Sequence, residues 1–291
     1  MRVAFLGLGA MGMPMALNMA RAGHDLVLWN RSPRNLAGFD SAKPTMAGTP
    51  IEAVTGAEIT VTMLGDDQAV HDVVLRAGVL DAMAPEAVHL SMSSISVRCV
   101  THLAEMHAAK NQGFVSAPVF GRPDVAAAGK LWVVAGGQRF TIERVRPLLD
   151  AVSRGVTLAG EQPWQANLVK LGNNVMLASM LEAFGEAYAL IRKAGIAPEL
   201  LLEVVNALFQ SPVYANYGEL AAKRRHQPAL FKAKLGLKDL RLAREAAQDL
   251  SVPLPLVELA FETLSSAIEH GGSELDWSVL ATEAQRRAGL T

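Results

Sequence analysis

Two stretches of the chain combine residue types at spacings that chemistry could use. The first is Gly7-Leu8-Gly9-Ala10-Met11-Gly12, a G-x-G-x-x-G run. Glycines so spaced suit three tasks: a tight turn, close approach of backbone to a pyrophosphate, and close packing of a helix on a strand. The second is QANLVKLGNNVML, residues 165–177. If helical, it sets Asn167, Lys170 and Asn174 at i, i+3 and i+7, on one face. A lysine in apolar surroundings is costly to bury unless it works or finds a partner. Beside a reacting carbonyl it can give a proton as the oxygen gains charge and recover it in reverse, and partial desolvation tunes it to that task. Asn174, one turn on, can hold the substrate or the lysine. On local pattern alone, a lysine that lays its stem along an apolar surface and keeps its head in water stands level with this.

The first stretch must be positioned by what flanks it. Arg2 followed by an apolar run resembles the start of a secretory signal. The order strand, turn, helix, strand favours a nucleotide-binding unit instead. Val3 to Leu6 forms a short strand, Met13 to Ala22 a helix stopped by Gly23, and Asp25 to Trp29 a second strand. The new helix aims unpaired N–H groups and its positive dipole end at the phosphates. A chain that reads NAD usually ends its second strand on Asp or Glu for the ribose hydroxyls. Here the strand ends Trp29-Asn30-Arg31-Ser32. Arg31 can pair with a 2′-phosphate and lie on adenine, and Asn30 and Ser32 add donors. The expected cofactor is therefore NADP (NADPH).

Strand and helix signals alternate up to about residue 160, with strands at Ile59–Leu64, Ala87–Leu90, Phe114-Val115, Leu131–Ala135 and Gly155–Leu158. Such alternation implies a mostly parallel sheet covered on both faces. After Gly160 the strand signals stop. Pro163 suits a first helical turn, and nothing breaks the pattern before Gly195, so one helix of about 30 residues is expected, on the order of 45 Å long. Further helices follow at Pro198–Leu208, Tyr214–Arg225, Lys234–Leu250, Pro255–Glu269 and Trp277–Arg287. The expected division is an α/β nucleotide-binding domain over 1–162 and an all-helical domain over 163–291, the latter serving substrate and dimerisation.

The 291 residues are 51% hydrophobic with a net charge of −1, which gives no general attraction for nucleic acid or anionic membranes. No apolar run approaches a membrane span. The one cysteine, Cys99, excludes an internal disulfide framework and suits the reducing cytoplasm. It is expected as a small buried helix residue. His102 and His107 make no metal site, Lys223-Arg224-Arg225-His226 suits a solvated helix end, and Glu182 and Glu186 are expected to be structural or interfacial. Core roles are expected of Trp132 and Trp164 ahead of pocket roles.

Taken together, G-L-G-x-M-G, Asn30-Arg31-Ser32, Thr62-Met63-Leu64, Ser91-Met92-Ser93-Ser94-Ile95-Ser96, Ala117-Pro118-Val119, Ala128-Gly129-Lys130-Leu131, Lys170 with Asn173 and Asn174, and Leu237-Lys238-Asp239-Leu240 resemble the β-hydroxyacid dehydrogenase family, nearly end to end. The resemblance implies a Rossmann-type domain, a long connecting helix and an all-α domain, assembled as a homodimer or homotetramer. It implies that Leu64 and Gly65 line the cofactor, that Ser94 lies near the nicotinamide, and that Lys238 stands close to the cofactor. It also implies catalytic roles for Lys170 and Asn174 in hydride transfer to small semialdehydes. Two stretches depart: the segment before the lysine, Gly160-Glu161-Gln162-Pro163-Trp164, differs from the family's glycine-rich form, and so does the stretch after Ala117-Pro118-Val119. Where the family has Ser-Gly-Gly for the substrate carboxylate, this chain has Phe120-Gly121-Arg122, which loses a hydroxyl while Arg122 can supply a bidentate donor. The altered stretch keeps an imine reductase of the same plan in view, although Lys170 argues against it. A non-catalytic NADP-binding protein is the alternative of another class.

Overall fold

The computed structural model describes residues 1–36, 38–39 and 44–290. They divide into two compact units, Met1–Lys170 and Leu171–Thr291.

The first unit is built on one sheet. Its strands are β1 (Arg2–Leu6), β2 (Asp25–Trp29), β3 (Thr45–Met46), β4 (Ile59–Thr62), β5 (Val88–Ser91), β6 (Gly113–Ser116), β7 (Val119–Phe120), β8 (Leu131–Gly136) and β9 (Ser153–Gly160). The order β3-β2-β1-β4-β5-β6 is parallel throughout, and β8 extends it by pairing antiparallel with β6 and β7 and parallel with β9. β1 beyond Arg2, β4 and β5 are buried on both faces, as strands covered on both sides are, and His89 is the one large polar side chain among them. Order reverses at β1, which lies between β2 and β4. In sheets of this kind ligands bind beyond the carboxyl ends of strands at such a switch point. The residues there are Gly7 after β1 and Met63-Leu64-Gly65 after β4.

Expected strands and observed ones agree within one to a few residues. The two-residue strands β3 and β7 carry no pattern of their own, because only a neighbour makes them strands. Trp132 departs from its expected core role: it lies 41% exposed on β8, its ring near Arg154 and its Nε1 donating to Thr157 Oγ1 at 2.9 Å. Trp164 packs half-buried against the cluster of Ile95, Val100 and Leu103. Cys99 is half-buried on the helix Val97–Ala108, and burial beside Asp67 pushes its thiol up to about 12, which disfavours the thiolate.

The long helix runs from Pro163 to Lys193 without interruption. The second unit is helical, with Pro198–Phe209, Pro212–Ala222, Ala233–Asp249, Pro255–Glu269 and Leu280–Arg287. Its core gathers Leu181, Phe184, Tyr188, Leu240, Leu264 and Trp277. Glu182 belongs to the scaffold: Thr263 Oγ1 donates to it at 3.3 Å, and burial raises its carboxyl to about 7. The basic run at 223–226 is solvated only in part. Lys223 and Arg225 pair with Glu219, but His226 is buried against Ser278 at 2.9 Å. Among the described residues no helix is long and apolar enough to cross a membrane.

Candidate active site

The three glycines of the first turn differ in what surrounds them. Gly7 has φ +105°, and a side chain there would strike the Met63 carbonyl. A side chain on Gly12 would run into the Gly7 carbonyl, so only glycine lets the helix Gly12–Arg21 pack on the turn. Gly9 has open space where a side chain would stand. Packing therefore demands glycine at 7 and 12, whereas at 9 the free space is room for a ligand. No side chain caps the helix and its first turn holds no acid, which leaves the positive end open to phosphate. This cradle fits a dinucleotide.

Asn30 braces it. Its Oδ1 accepts from Leu8 N at 2.8 Å, and its Nδ2 donates to the Ser32 carbonyl at 2.8 Å. The amide that was expected to offer donors to a ligand ties the glycine turn to the end of β2. Arg31 and Ser32 are exposed beside it.

Across the switch point, Ser93 Oγ accepts from Leu64 N at 2.8 Å and contacts the Thr62 carbonyl at 3.4 Å. Gly65 is exposed and, like Gly9, has open space where a side chain would stand. The cap of the helix Val97–Ala108 is Ser96, whose Oγ accepts from Cys99 N at 3.0 Å, so helix capping does not account for Ser94.

Lys170 Nζ lies 4.3 Å from the centre of the Phe120 ring. An aromatic face at that range attracts an ammonium. Phe120 thus meets the lysine, a relation that spacing 50 residues apart could not reveal. Arg122 stands two residues on, 3.8 Å from Asp124 through its Nε, a loose pair that leaves guanidinium donors for an anion. Asn167 shares the lysine's face but is committed to the scaffold. It accepts a short hydrogen bond from Ser116 Oγ and donates to the Ile95 carbonyl at 3.0 Å, which bolts the turn preceding Lys170 to the end of β6 and to the loop that carries Ser94.

In the second unit Asn174 Nδ2 donates to Asp239 Oδ2 at 2.6 Å, and Lys238 Nζ lies 3.2 Å from Asp239 Oδ1. The acceptor fixes the amide, so the Asn174 carbonyl oxygen points away from Asp239. Lys238 is 14% exposed, unlike Lys234 and Arg241 of its stripe, which pair with Glu274 and Glu245 at the surface. Sequence reasoning passed over Asp239. The signal was its place among Gly236, Leu240 and Ala243 on the apolar face of its helix, where a carboxylate needs partners.

A family model described as the NAD binding domain of 6-phosphogluconate dehydrogenase matches residues 2–160, and one described as NAD-binding of NADP-dependent 3-hydroxyisobutyrate dehydrogenase matches residues 165–283. The chain is 42% identical over 281 residues to the Uncharacterized oxidoreductase YfjR of Bacillus subtilis (strain 168), covering 96% of this chain and 98% of that protein. It is 32% identical over 284 residues to 2-hydroxy-3-oxopropionate reductase of Escherichia coli (strain K12), covering 96% of each. The solved structure of Mycobacterium tuberculosis 3-hydroxyisobutyrate dehydrogenase with L-serine is 27% identical with a TM-score of 0.85, over 96% of this chain and 97% of that one.

Proposed function

Because the chain belongs to the β-hydroxyacid dehydrogenase family of NAD(P)-dependent oxidoreductases, we propose that it transfers hydride between NADPH and a small β-hydroxyacid or its semialdehyde, with Lys170 as general acid and base. The observation that carries the reading is the seat of Lys170: an ammonium on the Phe120 ring, one helical turn beyond the bolted Asn167.

Gly7, Leu8, Gly9, Ala10, Met11 and Gly12 would hold the pyrophosphate, Arg31 with Ser32 the 2′-phosphate, and Leu64, Gly65, Ser94 and Lys238 the remainder of the dinucleotide. When bound, that cofactor supplies or accepts the hydride. Lys170 Nζ gives its proton to the carbonyl oxygen of a semialdehyde and takes it back from the hydroxyl in the oxidation direction. The ring beneath it steadies the charged form before transfer. Asn174, held by Asp239, orients the substrate through its carbonyl oxygen. Arg122 meets the substrate carboxylate beside Phe120 and Gly121, in place of a hydroxyl.

NADPH absorbance followed over a panel of hydroxyacids, semialdehydes and imines tests this reading. Turnover of small carboxylated aldehydes is expected. Turnover of imines alone would make the protein an imine reductase, and none on the whole panel would make it a non-catalytic NADP-binding protein.

The division at 162/163, the cytoplasmic setting suited to a chain with a single cysteine, and assembly into a dimer or tetramer belong to the same proposal. Leu200, Val204 and Leu208 line one exposed face of the helix Pro198–Phe209, with Leu208 at 74% exposure. A second copy of the chain is the proposed cover, since an apolar stripe on a free monomer is unfavourable. Light scattering should give a multiple of 31.0 kDa, and Val204→Glu with Leu208→Glu should give the single-chain mass. A parent protein of single-chain mass would remove the assembly proposal.

A further inference from the structure

Beneath β4 and β5 lies a buried chain of side chains that the reaction as described does not use. Gln112 Nε2 donates to the carbonyls of Leu80 at 3.0 Å and Met83 at 2.9 Å. With both amide hydrogens committed, Gln112 Oε1 is an acceptor, 2.8 Å from His107 Nδ1. His107 Nδ1 therefore carries the proton and its Nε2 is a lone pair, which faces His89 Nδ1 at 2.8 Å. His89 in turn donates from Nδ1 and accepts through Nε2 from the Thr62 hydroxyl at 2.9 Å. Each tautomer follows from the one before it, so two carbonyls at Leu80 and Met83 decide where the Thr62 hydroxyl points. Phe114 closes the site, its ring centre 5.2 Å from both imidazoles. Burial lowers both histidines, His107 to about 4, so the rings stay neutral at neutral pH.

Thr62 is the last residue of β4, at the switch point. Its carbonyl receives Met92 N at 2.9 Å and the Ser93 hydroxyl that also holds Leu64 N. Met63, which follows it, donates its N–H to the Leu6 carbonyl at 2.9 Å and sets its own carbonyl against Gly7. We propose that Gln112, His107 and His89 are positioning residues that fix Thr62, and through it the Met63-Leu64-Gly65 turn on which the dinucleotide rests. This builds on the placement of Leu64 and Gly65 given above. A hydrogen-bonded chain with every member satisfied acts as one unit, and breaking it at Gln112 removes the acceptor that sets both tautomers and so the sense of the bond to Thr62.

The test is equilibrium binding of NADPH and NADH to the full-length protein, followed by cofactor fluorescence well below each variant's melting temperature. Thr62→Val removes the hydroxyl at almost constant volume, and Gln112→Leu breaks the chain at its far end. Each should weaken the preferred dinucleotide about 5- to 30-fold. The double variant should be no weaker than the worse single, because one unit is lost once. Thr62→Ser should restore the parental Kd. Parental Kd in both single variants, with only the melting temperature lowered, would reduce the chain to a structural role and overturn the proposal, as would losses that multiply in the double variant. Gly65→Val separates this from the reading beneath it, because its side chain enters open space and should block the dinucleotide. If Gly65→Val weakens binding while Thr62→Val and Gln112→Leu do not, the positioning proposal alone fails. If Gly65→Val binds as the parent does, the cofactor does not rest on that turn, and both fail.

Discussion

Lys170→Ala is expected to lower kcat by about 10²- to 10⁴-fold, the usual contribution of a positioned general acid or base. NADPH should still bind, since the glycine turn and the end of β2 are untouched. Lys170→Arg should recover little, because a guanidinium keeps the Phe120 contact but cannot cycle its proton. Asn174→Ala should lose less in kcat and more in apparent substrate affinity, as removal of an orienting group does. It also leaves Asp239 without its 2.6 Å donor, so its melting temperature is to be measured beside the kinetics. Steady-state rates across pH on the best substrate of the panel, with cofactor binding followed by fluorescence, decide the matter. A Lys170→Ala enzyme with parental kcat and pH profile would return the lysine to a structural role, and the active-site assignment would go with it.

The second large effect is on cofactor choice. Arg31→Ala should weaken NADPH by about 10- to 100-fold, the worth of charge-assisted hydrogen bonds to a 2′-phosphate. NADH, which lacks that phosphate, should bind nearly as it does to the parent. The exposed position of Arg31 means its loss disturbs no core contact, so the change in Kd reports the ligand directly. Raising salt should narrow the gap in the parent, because an exposed ion pair is screened. Equal dissociation constants for NADPH and NADH in the parent would remove the 2′-phosphate assignment, even though Asn30 still braces the glycine turn.

Much of this is legible in the amino-acid sequence. Alternation of short apolar strands with helices dictated a parallel sheet over the first part of the chain. The unbroken run after Pro163 dictated the long helix, observed over 31 residues. These follow from local periodicity, which a strand or helix imposes on its own residues. The glycine spacing, with a strand before and a helix behind, likewise marked the turn at the switch point. The family to which the chain belongs could be read from motifs spread along its length.

Only the tertiary structure decided which polar groups meet. Asn167 and Lys170 share a helix face, yet the first is consumed by Ser116 and Ile95, 51 and 72 residues away, and the second rests on Phe120. Asp239 finds Asn174 across 65 residues, and His89 finds His107 across 18. A histidine inside an apolar strand announces that it needs a partner, but not which one. The register of neighbouring strands and the packing of helices on the sheet choose it, and those are set by the summed burial of many apolar residues far from either group. Local sequence therefore determined where the elements and the glycine turn lie. The packed fold determined which side chains are left to act and which are held to keep them in place.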